Sequence, residues 1–225
     1  IYAHGYRLFY AILMFAQIFS GVLLPFFSKN IKDKVTINLI ASFTAKFLLL
    51  VAISIALLSA AYSNQVMDLM YHEKATAQSA SAFSFLMLGF IGSVLILVYG
   101  TLLTAALELK YLNMAAFITL CINLALNTQL IPLYGPTGAA IATAISQLLF
   151  GTICYAISFQ EFGFQPKFIN IIRQAFGIGM LFLVILMGKQ YCSSVAVHLS
   201  MIFISILISA YMFKLFQVKD LKSLT

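Results

Sequence analysis

The stretch AFSFLMLGFIGSVLILVYGTLLTA, residues 82–105, runs for 24 residues without a charged side chain. A helix crosses the hydrocarbon core of a bilayer with about 20 apolar residues, so this run is long enough to span. Outward from it, further apolar runs bounded by charges or by Pro and Gly fall at 6–27, 39–62, 111–131, 137–158, 173–188 and 195–214. Their length and continuity predict an all-α polytopic membrane protein of about seven spanning helices. Five spans fall within 1–158 and two more within 159–225.

Composition leads to the same class. Of the 225 residues 63% are hydrophobic and 8% are charged, with a mean hydropathy of +1.03, whereas a soluble domain carries about a quarter charged residues. This balance excludes a soluble enzyme and leaves no room for a soluble domain. The net charge of +7 is not the footprint of a nucleic-acid-binding surface, because the basic residues occur singly or in small groups between apolar runs. That distribution is a topology signal. Lys29, Lys32, Lys34, Lys110, Lys167, Arg173, Lys214, Lys219 and Lys222 fall on one side of the membrane, and Arg7, Lys74 and Lys189 on the other. By the positive-inside rule the first side, with the C-terminus, is expected in the cytoplasm.

Pro25 with Ser28, Lys29 and Asn30 is expected to end the first helix, and Pro132 the fourth, with Gly135 and Pro136 turning the chain into the fifth. Residues 64–80 mix Met67, Leu69, Met70 and Tyr71 with Asp68, His72, Glu73 and Lys74, which predicts a segment along the interface. The chain opens at Ile1 on an apolar run without a basic n-region or a small-residue cleavage site, so neither a signal peptide nor a natural N-terminus is expected. Cys121, Cys154 and Cys192 lie in or beside apolar runs without CxxC spacing and are expected to be buried, reduced and structural.

Polar groups inside apolar helices are the candidates for function. In the first helix Tyr6, Arg7, Tyr10, Gln17, Gly21 and Ser28 share a limited arc of the circumference. Such a stripe either lines a wet cavity, with Arg7 as a site for an anion, or glues helices together while Arg7 snorkels to the interface. In the second helix Asn38, Ser42 and Lys46 follow an i, i+4, i+8 ladder; Lys46 is either a substrate contact or an interfacial lysine. The fourth helix carries Asn113, Asn123 and Asn127, amides suited to sugar hydroxyls and equally to interhelical bonds. In the fifth, Gly138, Ala142 and Ser146 repeat every fourth residue, a face for close helix packing. His4, His72 and His198 lack ligand spacing, so no metal site is expected. No phosphate-binding loop, dinucleotide fingerprint or nucleophile elbow occurs. Asp33, Asp68, Glu73, Glu108, Glu161 and Asp220 lie in loops or at helix ends and offer no acid–base pair.

The segments Asn123-Leu-Ala-Leu-Asn127, Leu130-Ile-Pro-Leu-Tyr-Gly135 and Thr137-Gly-Ala-Ala-Ile-Ala-Thr143 resemble the N-x-x-L-IP-x-YG-x-x-GAA-x-AT signature of polysaccharide flippases. These belong to the multidrug/oligosaccharidyl-lipid/polysaccharide exporter superfamily, which includes O-antigen exporters. Residues 1–28 and 100–113 are similar to its segments as well, so the resemblance covers essentially the whole chain. It implies the eighth through fourteenth helices of a fourteen-helix, two-lobed transporter, with the N-terminal lobe and one further helix outside this sequence.

The implied activity is non-enzymatic. An undecaprenyl-pyrophosphate-linked oligosaccharide would be flipped across the bacterial inner membrane by alternating access, for surface polysaccharide synthesis. The resemblance implies no cofactor beyond a coupling cation, Na+ or H+. Its implied partners are the bilayer, the remaining lobe, and glycan polymerase and glycosyltransferases, with no nucleic acid. Arg7 matches the family's arginine near the start of this helix. With Tyr10, Gln17, Lys46, Asn123 and Asn127 it forms the expected substrate-binding set. A multidrug or lipid II exporter of the same superfamily, an integral-membrane glycan polymerase or glycosyltransferase, and a purely structural membrane subunit are the alternatives.

Overall fold

The computed structural model describes residues 2–72, 76–164, 168–191 and 204–209, together with Tyr211. Among these the chain forms helices α1 (Tyr2–Asn30), α2 (Lys34–Tyr71), α3 (Ala77–Leu95), a π-helical segment (Ile96–Gly100), α4 (Thr101–Ala105), α5 (Leu109–Tyr134), α6 (Pro136–Phe162) and α7 (Phe168–Tyr191). No strand occurs among the described residues. Five stretches are long and apolar enough to cross a bilayer: 5–30 in α1, Lys34–Tyr71, Ala77–Ala105, Leu109–Tyr134 and Pro136–Phe162. In lipid a helix satisfies its backbone bonds internally, so these lengths and compositions make the chain a membrane-embedded helical protein. The sixth expected helix lies within α7. Of the seventh, only 204–209 and Tyr211 are described, and both are helical.

Local chemistry fixes the helix ends. Asp33 caps α2, its carboxylate accepting the Val35 and Thr36 amides at 3.1 and 3.2 Å and the Thr36 hydroxyl at 2.6 Å. These bonds, the Thr36 hydroxyl first, hold the carboxyl below its usual range. Thr76 and Ser79 form a reciprocal capping box at the start of α3. Between α5 and α6 the chain reverses through Gly135 at φ 57°, ψ −132°, a backbone region that side chains avoid.

The first helix ends in the expected cluster, at Asn30, with Pro25 inside its last turns, and the fourth ends at Tyr134, two residues beyond Pro132. A proline removes one backbone bond, so the helix can run on for a few residues past it. Beyond Pro25, the Ser28 hydroxyl and the Asn30 amide donate to the carbonyls of Leu24 and Phe26, each at 2.9 Å. The second helix differs from expectation: it breaks at Tyr62 (φ −126°, ψ 19°) and then runs on as a helical arm to Tyr71. That arm, with the first turns of α3, occupies most of the segment expected along the interface.

The rod Ala77–Ala105, made of α3, the π segment and α4, is the hub of the bundle: 61% of its most apolar stretch is buried, against 17% for α1 and 11% for α5. It packs against α1, α2 and α6, while α5 lies against α6 and α7 against α2. The α3–α6 contact is close, because glycines face backbone there. A Cβ on Gly92 would lie 2.3 Å from the carbonyl carbon of Gln147, and one on Gly151 would lie 2.5 Å from the Gly92 oxygen. The expected small-residue face of α6 does pack closely, and its partner is α5: Gly138 has the Leu130 oxygen 2.1 Å from where its Cβ would be. Leu181 and Ile185 of α7 pack with Leu57 and Leu58.

Candidate functional site

On α1, Leu13, Gln17, Ser20 and Leu24 follow each other at intervals of four, three and four residues and so form one stripe. This stripe faces a cleft of about 620 Å³ whose other walls come from the α3–α4 rod, the start of α5 and the middle of α6. Ser93, Gly100, Thr101 and Thr104 line it from the rod, Asn113 from α5, and Gln147 and Phe150 from α6. Leu97, Ile96, Leu112 and Ala116 complete an apolar wall. None of the lining residues is charged.

The π segment forms part of this wall, as such wide turns often do beside functional cavities. Its Leu97 and Gly100 carbonyls accept the hydroxyls of Thr101 and Thr104, the latter at 2.8 Å. Ser20 and Thr101 join α1 to α4 by a hydroxyl–hydroxyl bond of 2.8 Å. Gln147 is positioned by the close approach of α6 to Gly89 and Gly92. Its Oε1 is buried and has no hydrogen-bond partner among the described residues. A smaller cleft of about 210 Å³ adjoins the first through Ile96, Ala116, Gln147 and Phe150, and adds Thr119, Asn123 and Ser146.

The six expected site residues do not gather in one place. Gln17 lines the larger cleft and Asn123 the smaller. Asn123 donates to Ser146 at 3.1 Å and so joins α5 to α6, while Asn127 donates to the Asn123 carbonyl oxygen within α5 at 2.9 Å. Arg7 and Tyr10 are exposed on α1 outside the cleft lining, and Tyr10 packs its ring against Tyr6 at 5.8 Å. Lys46 is half-buried on α2, also outside the lining. Because α2 starts at Lys34 rather than near 39, Lys46 lies about 3.3 turns inside the helix, from (46 − 34)/3.6.

Sequence reasoning missed Ser20, Ser93, Thr101, Thr104 and Gln147, and left Asn113 outside the chosen set. Gln147 carried a readable signal: it is the one amide between Gly138 and Ser158 on an otherwise small or apolar helix. Cys121 also departs from expectation, since it is exposed on α5, while Cys154 is buried; both are free thiols, and Cys192 lies outside the described residues. Among the described residues no three His, Cys, Asp or Glu side chains come together.

Fold and cleft together define a membrane-embedded helical bundle with an uncharged polar cleft between α1, the α3–α4 rod, α5 and α6. No family model matches the chain, and no curated protein matches it.

Proposed function

We propose that this chain is the C-terminal part of a fourteen-helix transporter that flips an undecaprenyl-pyrophosphate-linked oligosaccharide across the bacterial inner membrane. The observation that carries the reading is the cleft itself, with polar side chains from each of its walls and lying among helices long enough to span. Polar groups inside a membrane protein face its interior or a wet cavity, and they mark substrate pathways. A hydroxyl-rich glycan needs such a lining, because each unpaired polar group costs several kcal/mol in hydrocarbon, on the order of 4–8. Covalent chemistry is not required. Relative movement of two lobes around the site would alternate its access, with Na+ or H+ as the coupling ion.

The charged headgroup would meet cations outside the cleft, with Arg7 on α1 and Lys46 on α2 in that role. Orientation follows from the basic turn between α1 and α2. Lys34 donates to the Glu161 carbonyl at 2.9 Å and Asn38 to the Phe162 carbonyl at 3.1 Å, so this turn lies beside the end of α6. We assign that side, with Lys29, Lys32, Lys34 and Lys110, to the cytoplasm.

The test is export of surface glycan by the full-length protein in its host. Gln17→Leu and Asn113→Leu together should abolish export while the protein remains in the membrane at its normal level. Normal export in that double variant would remove the cleft from the transport route.

A further inference from the structure

The hydroxyl protons around the cleft are already committed. Thr104 donates to the Gly100 carbonyl at 2.8 Å and Ser93 to the Gly89 carbonyl at 3.4 Å. Thr101 donates to the Leu97 carbonyl. A hydroxyl has a single proton, so in the 2.8 Å contact between Ser20 and Thr101 the donor must be Ser20. Four hydroxyls therefore present only oxygen lone pairs to the cleft. The Oε1 of Gln147 is buried against Gly89 and is not offered to the cleft. Side-chain donors come from three amides alone, those of Gln17, Asn113 and Gln147.

From this proton balance we infer that the cleft is a receptor for uncharged, hydrogen-bond-donating groups, namely sugar hydroxyls, and that it rejects phosphate. The inference deepens the transport reading and rests on it. A phosphate oxygen is only an acceptor, so it could use the three amides alone, with no cation in the lining to offset its desolvation. A sugar hydroxyl donates to the lone pairs of the lining hydroxyls, and its ring carbons lie on Leu97 and Phe150. A bare cation also seeks acceptors, but no lining side chain carries the negative charge that would replace its hydration. At about 620 Å³ the volume is that of a small-molecule site and not of an ion cage. The glycan and the pyrophosphate of one substrate would thus be held in different places.

The probe is a diazirine-bearing decyl maltoside, photocrosslinked to the full-length protein in nanodiscs, with crosslinked peptides mapped by mass spectrometry. Competitors are octyl glucoside, octyl phosphate and octyltrimethylammonium, which share one chain length. Crosslinks should fall on α1 between Leu13 and Leu24 and on the rod between Ser93 and Thr104. Octyl glucoside should compete about tenfold better than either ion, the equivalent of one good hydrogen bond. Asn113→Leu, at an exposed rim position, and Thr101→Val, at a buried one, should each weaken that preference. Equal competition by octyl phosphate or octyltrimethylammonium overturns the inference, as does crosslinking that maps elsewhere. No preference for octyl glucoside in the unsubstituted protein, with export still dependent on Asn113, would sink this inference alone. Intact preference with export indifferent to Asn113 would sink the transport reading alone.

Discussion

Substituting Gly92 by alanine puts a methyl group between the backbones of α3 and α6. Its Cβ would stand 2.3 Å from the Gln147 carbonyl carbon and 2.4 Å from both the Gln147 oxygen and the Leu148 nitrogen, whereas ordinary contact begins at 3.4 Å. The obstructing atoms are backbone, so no rotamer change relieves them, and α3 and α6 must separate by about 1.1 Å, from 3.4 − 2.3. A gap of that size forfeits roughly a quarter to a half of the dispersion well at each remaining contact. Overpacking costs about 1–3 kcal/mol, and the rigidity of the obstacle places Gly92→Ala near 3. Gly21→Ala is the matched control, since nothing lies within 4 Å of its added methyl; a helical Gly→Ala change with free space is neutral or gains about 0.5–1 kcal/mol. Reversible unfolding of the full-length protein in mixed micelles compares the two. A Gly92→Ala variant within about 0.5 kcal/mol of the parent, or indistinguishable from Gly21→Ala, refutes the helix-contact argument.

Three further outcomes are expected. Arg7→Ala in the full-length protein should abolish glycan export at unchanged protein level, because the pyrophosphate loses its cation; normal export would remove Arg7 from the headgroup site. Asn123→Leu should destabilise the α5–α6 pair by about 0.6 kcal/mol, the mean worth of an interhelical polar contact in membranes, as read from unfolding midpoints. The Asp33 cap should depend on pH: its carboxyl is held low in the folded state, so its contribution is complete above the unfolded value of about 3.9 and is lost as pH falls through the lower folded value. Amide exchange at Val35 and Thr36 should accelerate over that acid range, and Asp33→Asn should remove the dependence.

Length and composition carried the first five spanning helices, because a spanning helix needs only an uninterrupted apolar run. At the prolines the boundaries were legible only to within about a turn, since a proline removes a single backbone bond and the helix runs on for a few residues. Gln17 was readable as a polar residue in an apolar helix, whereas the direction faced by Arg7 and Tyr10 depends on which neighbours α1 meets. Ser20, Ser93, Thr101 and Thr104 were invisible for a chemical reason. A serine or threonine that bonds its own helix looks in sequence like a packing residue, and only the assembled bundle brings four of them around one cavity. The closeness of α3 and α6 at Gly89, Gly92 and Gly151 belongs to the same category, because the pairing of two glycine-bearing faces is not written in either helix alone.

Transport along this cleft requires that it be wet while the outer face of α1 lies in lipid. Replacing Cys121, Cys154 and Cys192 and introducing Gln17→Cys or Phe15→Cys places a thiol in the cleft or on that outer face, two residues apart on one helix. Only the thiolate reacts with hydroxyethyl methanethiosulfonate, and a thiol in hydrocarbon does not ionise. In proteoliposomes the cysteine at 17 should be modified faster than that at 15 by on the order of tenfold or more. Equal rates, or slow modification at both positions, would contradict a hydrated cleft.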